Sequence, residues 1–219
     1  MDTRKGFHQS LQELQHDLLK MGTLVEEAIH LAVKSLAQMD QELAEKVVAQ
    51  DDQIDEMMLQ IENGCLRLLA LQQPMAGDLR VIGTALKIVT DLERIADHAT
   101  DIAKTTLRLS GESLIKPLID IPRMADLAKA MVREALTAYV ERNIDRALAL
   151  AEKDDEVDAL YTKMFSEIVT MMGSSRAMNR QLTHLLMVAR YLERVGDHAT
   201  NLGEWVIYMV TGKRQDLNK

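Results

Sequence analysis

An eight-residue string occurs twice in this chain, ERIADHAT at 93–100 and ERVGDHAT at 193–200, identical at six positions and offset by 100 residues. In a chain of 219 residues that offset is nearly half the length, so whatever one half folds into, the other must form an equivalent version of it. Both copies lie in runs whose apolar residues recur every three or four positions, which makes them the same segment of two equivalent helices. On such a helix Glu93, Asp97 and Asp101 stand on successive turns of one face, and so do Glu193, Asp197 and Asn201. Like charges at i,i+4 cost a helix about 0.2–0.5 kcal/mol per pair, so something must answer these ladders, either cations or basic side chains.

The surrounding pattern predicts three helices per half. Phe7, Leu11, Leu14, Leu18, Met21, Val25, Ile29, Ala32 and Leu36 step by three or four through a first helix over about 4–39. A second runs over about 42–71, and Pro74 separates it from a third over about 75–109. The short connections make neighbours antiparallel, so residues 1–110 read as an up-down-up three-helix bundle. Residues 111–122, with Gly111, Pro117 and Pro122, read as a linker. Residues 123–219 then repeat the pattern, with helices over about 123–141, 145–172 and 179–210. The expected fold is all-α, two pseudo-symmetric up-down-up three-helix bundles of six helices in total.

The halves correspond beyond the octapeptide. Val25, Glu27 and Ala28 align with Val132, Glu134 and Ala135, and Asp51, Asp52 and Asp55 align with Asp154, Asp155 and Asp158. Each half therefore carries a second acidic pair at i,i+4 spacing, on the helix preceding the ladder helix. Facing pairs, Asp51/Asp55 with Glu93/Asp97 and Asp154/Asp158 with Glu193/Asp197, offer four carboxylates per half, with Asp101 and Asn201 one turn further on. Such all-oxygen sets suit hard cations, and bridging carboxylates hold several ions close together, so Mg, Mn or Fe is expected, with Zn a weaker fit because clustered Cys and His are missing. The competing reading is a solvated acidic face, partly neutralised by Arg94, Arg194 and Lys104.

Composition narrows the classes. Hydrophobic residues at 47% suffice for a core, while 3% aromatics and 14 methionines favour packed helices over sheet. A net charge of -8 argues against nucleic acid as partner. The single cysteine, Cys65, falls in an apolar helical series and reads as buried packing in a reducing compartment. No stretch is apolar enough to span a membrane, so a soluble protein is expected. His98 and His198 sit about 100° round the helix from Asp97 and Asp197 and read as surface or packing histidines that pair with an acid. Two E-x-x-H strings, Glu13 to His16 and Glu27 to His30, raise a ferritin-like di-metal oxidase, but 14 residues along one helix put them about 21 Å apart. No nucleophile elbow or phosphate-cradling glycine loop is present.

The strings P-M-A-G-D-L-R at 74–80, D-L-E-R-I-A-D-H-A at 91–99 and Y-L-E-R-V-G-D-H-A at 191–199, with the paired acids of the second and fifth helices, make the sequence resemble the PhoU phosphate-uptake regulators over nearly its full length. The resemblance implies two pseudo-symmetric bundles and metal clusters held by D/E-x-x-x-D motifs, here Asp51, Asp55, Glu93, Asp97, Asp154, Asp158, Glu193 and Asp197. It also implies a non-catalytic cytoplasmic adaptor that couples a phosphate ABC transporter to a sensor histidine kinase and represses phosphate-starvation genes when phosphate is plentiful. Asn201 stands opposite Asp101, so the second half has one charge fewer. A homodimer is the base-rate expectation, and the alternative function is a metal-independent helical module with acidic docking faces.

Overall fold

The computed structural model describes residues 3–218, and its helices are α1 (Thr3–Gln38), α2 (Gln41–Gln72), α3 (Ala76–Arg108), α4 (Asp120–Glu141), α5 (Ile144–Leu148), α6 (Leu150–Met171) and α7 (Arg176–Thr211). No strand occurs among the described residues, and the protein is all-α as the periodicity predicts. The breaks between helices are built alike in the two halves. Met39 and Arg142 both turn the chain at φ 53, in the left-handed region, and each is followed by a polar cap. Asp40 accepts from the Leu43 N–H at 3.0 Å, and Asn143 accepts from the Arg146 N–H at 3.1 Å.

Three boundaries differ from expectation. The helix predicted over 145–172 is interrupted at Ala149, giving α5 and α6. At this break α5 packs against α7 at Gly203, where a β-carbon would stand 3.1 Å from the Ala147 carbonyl and 2.7 Å from Leu150. Helix α4 begins at Asp120 and takes Pro122 into its first turn, where no intrahelical N–H is needed. Helix α7 begins three residues early because Ser175 caps it, accepting from the Met178 N–H at 3.4 Å.

Helices α1, α2 and α3 form one up-down-up bundle, and α4, α5 with α6, and α7 form the other. The two lie back to back. Arg80 on α3 donates to the Met209 carbonyl on α7 at 3.0 Å, Thr84 to the Trp205 carbonyl at 3.4 Å, and further along the same seam Asp91 meets His198 and His98 meets Tyr191. Rising numbers on α3 meet falling numbers on α7, so these helices are antiparallel. So are α1 and α4, where Gly22 lets Leu136 approach to a spot that a β-carbon would occupy and Arg133 pairs with Glu26. Consequently α1, α3, α4 and α7 make a shared inner layer, and α2 and α6 cover it from opposite sides. Leu18, Met21, Ile88, Leu92, Ile95, Met131, Tyr139 and Leu192 are fully buried in one continuous core. Cys65 is buried there too, and burial pushes its thiol up to about 12, which keeps it protonated and unreactive.

Among the described residues no helix is long and apolar enough to cross a membrane.

Candidate metal centres

The apolar stripe of α3 faces the core, and this rotates Glu93 and Asp97 toward α2, whose own stripe turns Asp51 and Asp55 toward α3. The four carboxylates are close enough to perturb one another. Burial first, and then Asp55 and Asp97, raise the Asp51 carboxyl above the ordinary range, against a hydrogen bond from the Thr100 hydroxyl that lowers it. Glu93 is raised by burial, then by Asp97, with Asp55 and Asp51 behind. Basic side chains answer part of this charge. Arg94 reaches Asp97 Oδ2 at 3.1 Å and Glu93 Oε2 at 3.4 Å, and Lys104 acts favourably on Asp51.

The second site repeats the layout on α6 and α7 but sits deeper. Asp154 is 8% exposed and its carboxyl is pushed up to about 7, by burial first and then by Asp158, Asp197 and Glu193. Asp158 and Glu193 are raised as well, again chiefly by burial and next by Asp197. The closer approach has a visible cause in sequence. The octapeptide carries Ala96 in one copy and Gly196 in the other, and a β-carbon at Gly196 would lie 2.7 Å from Asp154 Oδ1. The arginines of α7 turn to its own acids: Arg190 pairs with Glu193 Oε1, and Arg194 stands 3.9 Å from Asp197. Glu193 Oε2 is buried with no hydrogen-bond partner. A buried, unpaired carboxylate oxygen among three more acids costs free energy unless a cation answers it.

The acids thus lie near enough to perturb one another in two groups, Asp51, Asp55, Glu93 and Asp97 in one and Asp154, Asp158, Glu193 and Asp197 in the other. Among the described residues, no three His, Cys, Asp or Glu side chains converge tightly enough to hold an ion as they stand. The donor set suits hard cations, with the buried Glu193 oxygen as the clearest opening for one. Asp101 and Asn201 lie elsewhere, on the seam between halves. Asp101 acts on Tyr191, and the Asn201 amide reaches Asp91 Oδ1 at 3.5 Å.

The same seam takes the histidines. His198 Nδ1 donates to Asp91 Oδ1 at 2.9 Å, the acid partner that the sequence argument expects. His98 differs: its ring stacks on Tyr191 at 5.8 Å, both its nitrogens are buried without partners, and burial, then the nearby His198, lower its pKa to about 4. Duplication explains the difference, since Asp91 in one half corresponds to Tyr191 in the other.

Two contributors escape the motif. Leu217 and Asn218, beyond α7, fold back to line a cavity of about 160 Å³ with Ala151, Asp154, Asp155, Asp158 and Asp197. Nothing in their sequence marks them, because neither belongs to the repeat. Gly196 was visible as the one change in the octapeptide that removes a side chain.

Three comparisons with known proteins agree. The family model described as "PhoU domain" matches residues 18–106 and 121–206. A relative from Clostridium acetobutylicum named "Phosphate-specific transport system accessory protein PhoU homolog" is 46% identical over 217 residues, 99% of each chain. The crystal structure of PhoU from Pseudomonas aeruginosa superposes with a TM-score of 0.88 at 38% identity, covering 94% of this chain and 100% of that one. The phosphate transport system regulatory protein PhoU from Streptococcus pneumoniae superposes equally well, TM-score 0.88 at 32% identity, covering 96% and 99%. A doubled three-helix architecture, a doubled acid motif and full-length similarity lead to one conclusion: this chain belongs to the PhoU family.

Proposed function

We propose that the protein is a non-catalytic accessory and regulatory protein of a phosphate-specific transport system. In this reading it couples a phosphate ABC transporter, through the transporter's ATPase, to a sensor histidine kinase, and restrains phosphate uptake and starvation signalling while phosphate is plentiful. The full-length similarity to relatives bearing that role in their names supports the coarse reading. The facing carboxylates support the finer part: two multinuclear metal sites, one held by Asp51, Asp55, Glu93 and Asp97, the other by Asp154, Asp158, Glu193 and Asp197. A bound hard cation, Mn, Fe or Mg, would cancel the repulsion within each four-acid group and clamp α2 to α3 and α6 to α7. The observation that carries the metal reading is the buried, unpartnered oxygen of Glu193 among raised carboxyls. Cytoplasmic residence and a homodimer belong to the same proposal.

Elemental analysis of protein purified without chelator tests it. About two or more equivalents of metal per chain are expected, with about half lost from Glu93→Gln/Asp97→Asn and the other half from Glu193→Gln/Asp197→Asn. Metal content unchanged by either double substitution would remove these acids as ligands. The first site also favours a second reading, because Arg94 already answers two of its acids and is exposed. If the acidic faces simply dock a basic partner surface, partner binding will survive chelation and weaken with salt.

A further inference from the structure

The chain leaving α7 does something that its counterpart leaving α3 does not. Gly212, at φ 74, ends α7, and the turn is closed by the Lys213 N–H donating to Thr211 Oγ1 at 3.1 Å. Residues 213–218 then run back along α7. The Arg214 guanidinium lies 4.5 Å from the centre of the Trp205 ring and 3.7 Å from Glu204 Oε2. The Leu217 N–H donates to Glu204 Oε1 at 2.9 Å, and Leu217 rests against Gly203, where a β-carbon would come within 3.3 Å of it. These contacts deliver Asn218 to the acids. Its Oδ1 accepts from the Thr200 hydroxyl at 2.6 Å, and its Nδ2 is 3.4 Å from Asp197 Oδ1. In the first half Lys104 replaces Glu204, Thr100 donates to Asp51 instead, and the chain beyond α3 departs toward Arg180 and Gln181 at the start of α7.

We propose that residues 213–218 are a strap that closes the second acidic site, with Asn218 as an additional oxygen donor to the cation held there, so that this site releases its ion more slowly than the first. The proposal rests on the metal-binding reading above. The independent observation behind it is Glu193, 9% exposed with one carboxylate oxygen buried and unpaired, which feels Asp197, the acid that Asn218 reaches from outside. An asparagine is suited to this place. With no cation present its amide N–H₂ donates to Asp197, and turned over it offers a neutral carbonyl oxygen of the kind hard cations accept, without adding to the crowd of charge. Glu204, nearly buried and committed to the Leu217 amide, is the anchor that holds the strap in register.

Release of Mn²⁺ into excess chelator, followed through the signal of the free ion, tests the strap site by site. Glu93→Gln/Asp97→Asn leaves only the second site, and Glu193→Gln/Asp197→Asn leaves only the first. In the chain keeping the second site, Asn218→Ala should speed release about 10-fold or more, the scale of losing a supporting contact at a metal site, and a stop after Gly212 should do at least as much. In the chain keeping the first site, neither change should alter release. Should the stop impair folding, Asn218→Ala alone decides, because it removes only an exposed amide. Equal release with and without the Asn218 amide, from a protein that does bind Mn²⁺ at the second site, overturns the strap and leaves the metal reading standing. Failure of the unaltered chain to bind Mn²⁺ at all overturns both.

Discussion

Asp51 and Asp154 occupy equivalent places in a duplicated chain, on equivalent helices and facing equivalent acids, yet they live in different surroundings. Asp51 takes a hydrogen bond from Thr100 and feels Lys104, and the acids opposite it share Arg94 with solvent. Asp154 is pressed against the backbone of α7 through the gap at Gly196, under a strap that has no counterpart in the first half, and its carboxyl is pushed up to about 7. Duplication copied the positions of the acids; the neighbours that set their energetics diverged. Arginines answer part of the charge at both sites, but the first site lies more open and the second sits deeper, beneath the returning chain.

The largest expected effect breaks this comparison at its deepest acid. In chelated protein at pH 8, Asp154→Asn should stabilise the fold by about 2–4 kcal/mol, because the amide mimics the protonated acid that burial favours. The sign follows from a folded-state pKa above the unfolded 3.8: the folded protein binds the extra proton, so the penalty of the charged acid is complete above pH 7 and disappears toward pH 4. Thermal melts of wild type and variant should therefore converge as pH falls through that window. Asp51→Asn should give the same trend with a smaller gap, and an equal gap would erase the distinction between the sites.

The histidines sharpen the contrast at the seam. His98, lowered to about 4, is folded in its neutral form, so wild type should lose stability as pH falls from about 6.5 to 4 while the unfolded chain takes up the proton. His98→Phe keeps a ring against Tyr191 and should abolish that portion of acid sensitivity, about 1–3 kcal/mol in melts across the window. Parallel pH profiles for the two proteins would show that His98 is hydrated in solution. The smallest effect belongs to the open site: Arg94→Ala should change stability by less than about 1 kcal/mol, the usual worth of an exposed ion pair, and should vanish in high salt.

Much of this was legible before any coordinates. Apolar residues at three- and four-residue spacing must share a helix face, and acids at i,i+4 must too, so the helices, the repeat and the pairs of acids on each helix follow from periodicity alone. Helix boundaries were less legible where the deciding atom lay elsewhere. The interruption at Ala149 falls where the chain packs against Gly203, 54 residues later, and the start of α7 depends on whether Ser175 reaches an N–H or water.

By itself, then, the sequence determined the class of fold, the doubled bundle and the pairing of acids along each helix face, because these rest on repeating patterns that any helix must obey. Only the tertiary structure decided the rest: the back-to-back antiparallel seam, the pairing of His198 with Asp91 while His98 goes unpaired, the placement of Asp101 and Asn201 on that seam, and the strap that brings Asn218 to Asp197. Those outcomes depend on which faces meet and how closely, and contacts between elements far apart in the chain leave no periodic trace along it.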